Sequence, residues 1–193
     1  MMHRVLQILR YATAVCVLVA TSGCFMGGQV REDRYQQAVG LVDQGVKKLH
    51  EGKVDEASMA FSLAAELAPL AAAVDGQGCV ALLKGDFARA EELFNRAYQM
   101  DNSYDDALGN LALLMDLTGR PEKAKALYNQ AIDKIPDHVG FRNNKAALEY
   151  DRGERKMVVI QELEKAALIG DSPVVKANLD ILKKGSEWAV QEK

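Results

Sequence analysis

The stretch "GCVALLKGDFARAEELFNRAYQMDN", Gly78 to Asn102, sets small residues and a single phenylalanine at fixed steps. Gly78, Gly85, Ala90, Phe94, Ala97 and Asn102 follow one another after seven, five, four, three and five residues. The same steps run upstream through "GVKKLHEGKVDEASMAFSLAAELAP", with Gly45, Gly52, Ala57, Phe61, Ala64 and Pro69. Downstream, "ALLMDLTGRPEKAKALYNQAIDKIP" supplies Ala112, Gly119, Ala124, Tyr128, Ala131 and Pro136. The middle glycines stand at 52, 85 and 119, hence 33 and 34 residues apart. Five spacings kept three times mark an internal repeat, and a period in this range means stacked supersecondary units.

Each unit reads as a helix, a turn, a second helix and a stop. Gly45, Gly78 and Ala112 are small where the two helices approach closely. Gly52, Gly85 and Gly119 fall at the turn, where a positive φ is cheap only for glycine. In the second helix, Ala, an aromatic ring and Ala step by four and three along one face, a large knob between two small holes. Pro69 and Pro136 stop that helix, with Asn102 as a milder breaker. Asp101, Asp105 and Asp137 are expected as caps or first-turn acids of the helices that follow.

This order of small residue, Gly, Ala, aromatic, Ala and Pro resembles the tetratricopeptide repeat, strongly over residues 38–137. The resemblance implies an all-α superhelix of about four helix-turn-helix units with a C-terminal capping helix, occupying residues 32–193. A fourth unit begins with Ala146 seven residues before Gly153 and then departs. Its apolar rhythm fits after a one-residue shift, through Val159, Leu163 and Ala166 rather than Val158. "DSPVVKANLDILKKG" is expected to close the array as a helix with Ser172 as cap, Pro173 in the first turn and Gly185 as stop.

The rest of the composition agrees with a helical chain. Of 193 residues, 49% are hydrophobic and only 6% aromatic, with four prolines, which suits helices over sheets. The net charge of -3 with no stripe of Lys or Arg gives nucleic acid nothing to bind. Cys16, Cys24 and Cys79 form no CxxC, and His3, His50 and His138 are scattered, so neither a disulfide framework nor a metal site is expected.

The amino terminus carries Arg4 and Arg10, then an apolar run from Tyr11 to Ala20, then Thr21, Ser22 and Gly23: the layout of a secretory signal. An uncleaved anchor is the alternative left open by the uncharged run Tyr11 to Gly28. "TSGC", ending on Cys24, resembles the lipobox of bacterial lipoproteins, although Thr21 replaces the usual leucine. The resemblance implies cleavage after residue 23, lipidation of Cys24 with acyl chains such as palmitate, and residues 24–31 as a short tether. It implies attachment to a membrane by the lipid; Phe25, in place of an Asp, points to the outer membrane facing the periplasm.

In the family the first helices line a concave groove that holds a protein or peptide partner. Carried over by register, the groove would be lined from the first unit by Val39, Val42, Val46 and Leu49, and from the second by Ala72, Asp75, Cys79, Leu82 and Leu83. The third contributes Asp106, Gly109, Leu113, Asp116 and Leu117, and the fourth Asn143, Ala147, Tyr150 and Asp151. This mostly apolar surface interrupted by acids suits a peptide carrying Lys or Arg beside apolar anchors. Chaperone-binding relatives hold a terminal carboxylate with Lys, Arg and Asn; Asn110, Asn143 and Asn144 are present here, without the basic partners.

Catalysis is not expected, and no cofactor is implied. "DGQGC" has no preceding strand and no following Lys and Ser or Thr, so it is no phosphate cradle. Cys79 has no histidine that the repeat would hold beside it. Together the resemblances imply a lipid-anchored adaptor of the cell envelope, in assembly of a pilus or secretion system, or in scaffolding an envelope enzyme such as a peptidoglycan hydrolase or outer-membrane protein assembly.

Overall fold

The computed structural model describes residues 31–191, with side chains to Lys184. Cys24, the signal segment 1–23 and the tether to residue 30 lie outside the described residues. Within them the chain is helix and turn, without strands. Helix α1 covers residues 31–50 and is followed by α2 (Val54–Leu67), α3 (Ala71–Leu83), α4 (Phe87–Met100) and α5 (Asp106–Leu117). The array continues with α6 (Pro121–Lys134), α7 (Val139–Asp151), α8 (Lys156–Ile169) and α9 (Pro173–Gln191).

One turn serves all four pairs. Gly52, Gly85, Gly119 and Gly153 take φ of 72, 77, 72 and 82°. Around each, the same two bonds close the first helix: Gly85 N–H donates to Leu82 O at 3.0 Å, and Asp86 N–H to Ala81 O at 2.9 Å. Lys53 to Lys48, Arg120 to Met115 and Glu154 to Glu149 repeat the longer bond at 2.8, 2.7 and 3.0 Å. This is the left-handed C-terminal motif that uses up orphan carbonyls. A Cβ on these glycines would meet no atom within 4 Å, so it is φ and not space that selects glycine.

The aromatic knob accounts for the small residues opposite. Phe61 of α2 is 1% exposed; a Cβ added to Gly45 of α1 would stand 2.6 Å from its ring, and one on Gly76 of α3 2.3 Å. One ring therefore locks its own helix pair and the next unit. Phe94 meets Gly78 in the same way, at 2.5 Å. Ala57, Ala64, Ala90, Ala97, Ala124 and Ala131 are completely buried beside their rings. In the third unit Tyr128 is the buried knob; Asn144 comes near its hydroxyl without meeting hydrogen-bond geometry.

The fourth pair follows the shifted rhythm. Val159, Ile160, Leu163 and Ala166 are buried on α8, while Val158 is exposed. Val175, Leu179 and Leu182 of α9 close over Ala146, Val159 and Leu163 in one cluster, so α9 seals the end of the array. Ser172 caps it, accepting Val175 N–H at 3.4 Å.

Three local expectations, at Gly185, Asp137 and Asp101, are corrected. Gly185 does not stop α9, which runs on to Gln191; no proline follows it, and a single internal glycine costs only about 1 kcal/mol. Asp137 does not cap α7: His138 occupies the N-cap, and its Nδ1 accepts Phe141 N–H at 3.1 Å while the rings stack at 3.6 Å. Asp105 stands at the N-cap of α5 with no side-chain capping bond, its carboxylate taken by Lys134 at 2.8 Å. Asp101 turns to Ser103, accepting its N–H at 2.9 Å and its hydroxyl at 2.6 Å.

Candidate peptide-binding face

The first helices touch one another, α3 against α5 and α5 against α7, while each second helix packs on its own partner and on the first helix of the next unit. The odd-numbered helices thus form the inner layer of the superhelix. Along it, Val46, Leu83, Leu117 and Tyr150 keep 43, 60, 58 and 46% of their surface. Val42, Leu49, Leu82, Leu113 and Asp116 are half-buried, and Asp106 is exposed. None of these positions carries Lys or Arg.

Asp75 and Asn143 behave differently, being 5 and 8% exposed. Asp75 on α3 accepts from Asn110 Nδ2 of α5 at 3.1 and 2.9 Å and from the Tyr104 hydroxyl at 3.2 Å. Two units later Asn143 of α7 accepts from Asn178 Nδ2 of α9 at 2.9 Å. Both pairs are 35 residues apart, so a polar rung ties successive first helices at equivalent points. These two side chains hold the inner layer together. Their placement follows from burial: each is covered by the next first helix, and a buried polar group needs a partner.

Electrostatics follow from this packing. Burial, opposed in part by the Asn110 and Tyr104 bonds, pushes the Asp75 carboxyl up to about 6. Burial and the Asp75 and Asp106 carboxylates push the Cys79 thiol up to about 12. At neutral pH Cys79 is a thiol, with Asn110 Nδ2 3.6 Å from its sulfur, and a thiol is a poor nucleophile. Further along, burial and then Asp151 raise Asp116, with Arg152 opposing them.

Two recesses open on this layer. One, of about 330 Å³, is lined by Tyr35, Val39, Val42 and Asp43 of α1, Leu70 to Ala72 at the start of α3, and Asp101 and Tyr104 between α4 and α5. The other, of about 190 Å³, lies among α7, α8 and α9 beside Ala147, Tyr150, Asp151, Asn178 and Ile181. Tyr35, Asp43, Asp101 and Tyr104 were not among the residues expected from register. Asp101 and Tyr104 sit on an inter-unit turn, outside the helical offsets that the register extrapolates. Asn110 stands where the second unit has Gly76, two residues before the small helix-contact position, and its partner Asp75 becomes evident only once the two helices are neighbours. Among the described residues no group of His, Cys, Asp and Glu could hold a metal ion, and no helix is long and apolar enough to cross a membrane.

Comparison with known proteins agrees on architecture. Residues 81–148 match the tetratricopeptide repeat family model. Protein O-mannosyl-transferase Tmtc3 of Drosophila melanogaster is 40% identical over 62 residues, 32% of this chain and 7% of that protein. The chain therefore spans only a small part of this relative. Among solved structures, TTC0263, a thermophilic TPR protein of Thermus thermophilus, has a TM-score of 0.68 at 17% identity, covering 77% of this chain and 82% of that one. Pseudomonas aeruginosa pilF has a TM-score of 0.68 at 18% identity, over 82% of this chain and 72% of that one. The first TPR of Spaghetti (RPAP3), solved with the HSP90 peptide SRMEEVD, has a TM-score of 0.53 at 22% identity, over 62% of this chain and 95% of its own. At such identities the shared property is the fold.

Proposed function

We propose, from the premise that the chain is a tetratricopeptide-repeat protein, that it is a lipid-anchored, non-catalytic adaptor whose inner face holds a protein partner at the cell envelope. The observation that carries the adaptor reading is the inner layer itself: apolar side chains left open on four successive first helices, with the acids Asp106, Asp116 and Asp151 among them. Leaving such groups in water is unfavourable, and a rimmed apolar strip of this kind marks an interaction surface. The peptide-bound Spaghetti domain supports this use of the fold. The anchor rests on "TSGC" at residues 21–24 and on the apolar run before it. Two or more acyl chains, each contributing about 0.8 kcal/mol per buried methylene, make such attachment effectively permanent.

Assembly of a pilus or secretion system is the first candidate for the machine served, and the likeness to pilF is the comparison that supports it. The anchor is tested by replacing Cys24 with Ala and fractionating cells. The variant should leave the membrane fraction for the soluble one, and membrane retention equal to that of the original chain would refute lipid attachment through Cys24.

A further inference from the structure

We infer that the recess between α1, the start of α3 and the α4–α5 connection is a subsite for a cationic side chain, a lysine or arginine of the partner peptide. The inference rests on the adaptor reading and names the chemistry that one end of the inner face selects. The recess, about 330 Å³, has an aliphatic floor that includes Val42 and Leu70 and a rim of two tyrosines, Tyr35 and Tyr104, with two carboxylates, Asp43 and Asp101. Neither Lys, Arg nor His lines it. A lysine or arginine has the matching parts: an apolar stem for the floor and a charged head for carboxylates and ring faces.

The surroundings sharpen the preference for positive charge. Tyr104 is fixed by its bond to Asp75 at 3.2 Å; burial chiefly pushes its phenol up, and the Asp75 and Asp106 carboxylates add to the shift. Asp101 is held below the usual carboxylate range by Ser103, so it is charged at neutral pH. Lys134 also acts on Asp101, but its amine is bonded to Asn102 O at 2.6 Å and Asp105 at 2.8 Å, outside the residues that line the recess. An anionic or purely apolar occupant would leave these acids without a counter-charge inside the recess. A cationic one neutralises them.

The test uses the full chain and two blocked nine-residue probes, one of leucine and lysine, the other with each lysine replaced by glutamate, with binding followed by amide chemical shifts. The lysine probe should move the amides of Tyr35, Asp43 and Tyr104, and the glutamate probe should leave them still. Asp43→Asn, on the exposed side of α1, should weaken the lysine probe by about fivefold, the scale of one accessible charge contact. Tyr35→Leu, also at an exposed position, should weaken it independently. Equal shifts from both probes, no binding, or an Asp43→Asn chain that binds as tightly would overturn the subsite. Shifts confined to Leu113, Asp116 and Tyr150, unchanged in Asp43→Asn, would overturn it while leaving the inner-face reading intact. Shifts confined to the outer helices would overturn both.

Discussion

Asp75 is the residue at which packing and charge pull hardest against each other. It donates nothing when ionised, is 5% exposed, and relies on one amide and one phenol. Its folded-state value of about 6 lies above the ordinary 3.8. Between those limits the folded chain binds the extra proton, so this group's contribution to stability falls as pH rises from about 4 to about 6 and is flat above. The displacement corresponds to about 3 kcal/mol as an upper, order-of-magnitude figure. Asp75→Asn keeps an acceptor for Asn110 and removes the buried charge. Melting temperatures followed from pH 4 to 7 should lose that downward slope in the variant, which at pH 7 should be at least as stable as the original. A variant that melts well below it at pH 7 would mean that the ionised carboxylate stabilises the rung. Residue pairs of this kind were not legible in the sequence, because an acid on one helix and an asparagine 35 positions on acquire meaning only once their helices are neighbours.

At the scale of the helix pair, the sequence was far more informative. Turn and knob are local: the glycine φ, the alanine holes and the ring all belong to residues within one unit, so fixed spacing determines them. The one-residue shift in α8 was readable for the same reason, since Val159, Leu163 and Ala166 keep the four-then-three step. What escaped were choices among near-equivalent partners. Asp105 was taken up by Lys134, 29 residues on, and His138 rather than Asp137 caps α7. The register makes a sharp prediction at Ala124, completely buried beside Tyr128. Ala124→Leu should overpack α5 against α6 and cost about 1 to 3 kcal/mol. Ala126→Leu, two residues on and exposed, should cost almost nothing. Equal melting temperatures for the two variants would contradict this packing.

For the whole molecule, the architecture and its working face have different standing in the sequence. Stacking is dictated unit by unit, and α9 closes the far end by covering Val159 and Leu163. The inner face is a residual property, made of whatever the first helices do not bury against one another. Register extrapolation therefore found the open positions Val46 and Tyr150 and the half-buried Leu113, yet also selected Asp75 and Asn143, which the next helix covers. The most direct measurement of the central claim is photocrosslinking in cells from a photoreactive residue at Leu113, compared with one at Lys123 on the outer face of α6, with captured proteins identified by mass spectrometry. One dominant envelope protein should be captured from Leu113 and not from Lys123. Indistinguishable captures from the two positions would contradict the inner face as the surface that holds the partner.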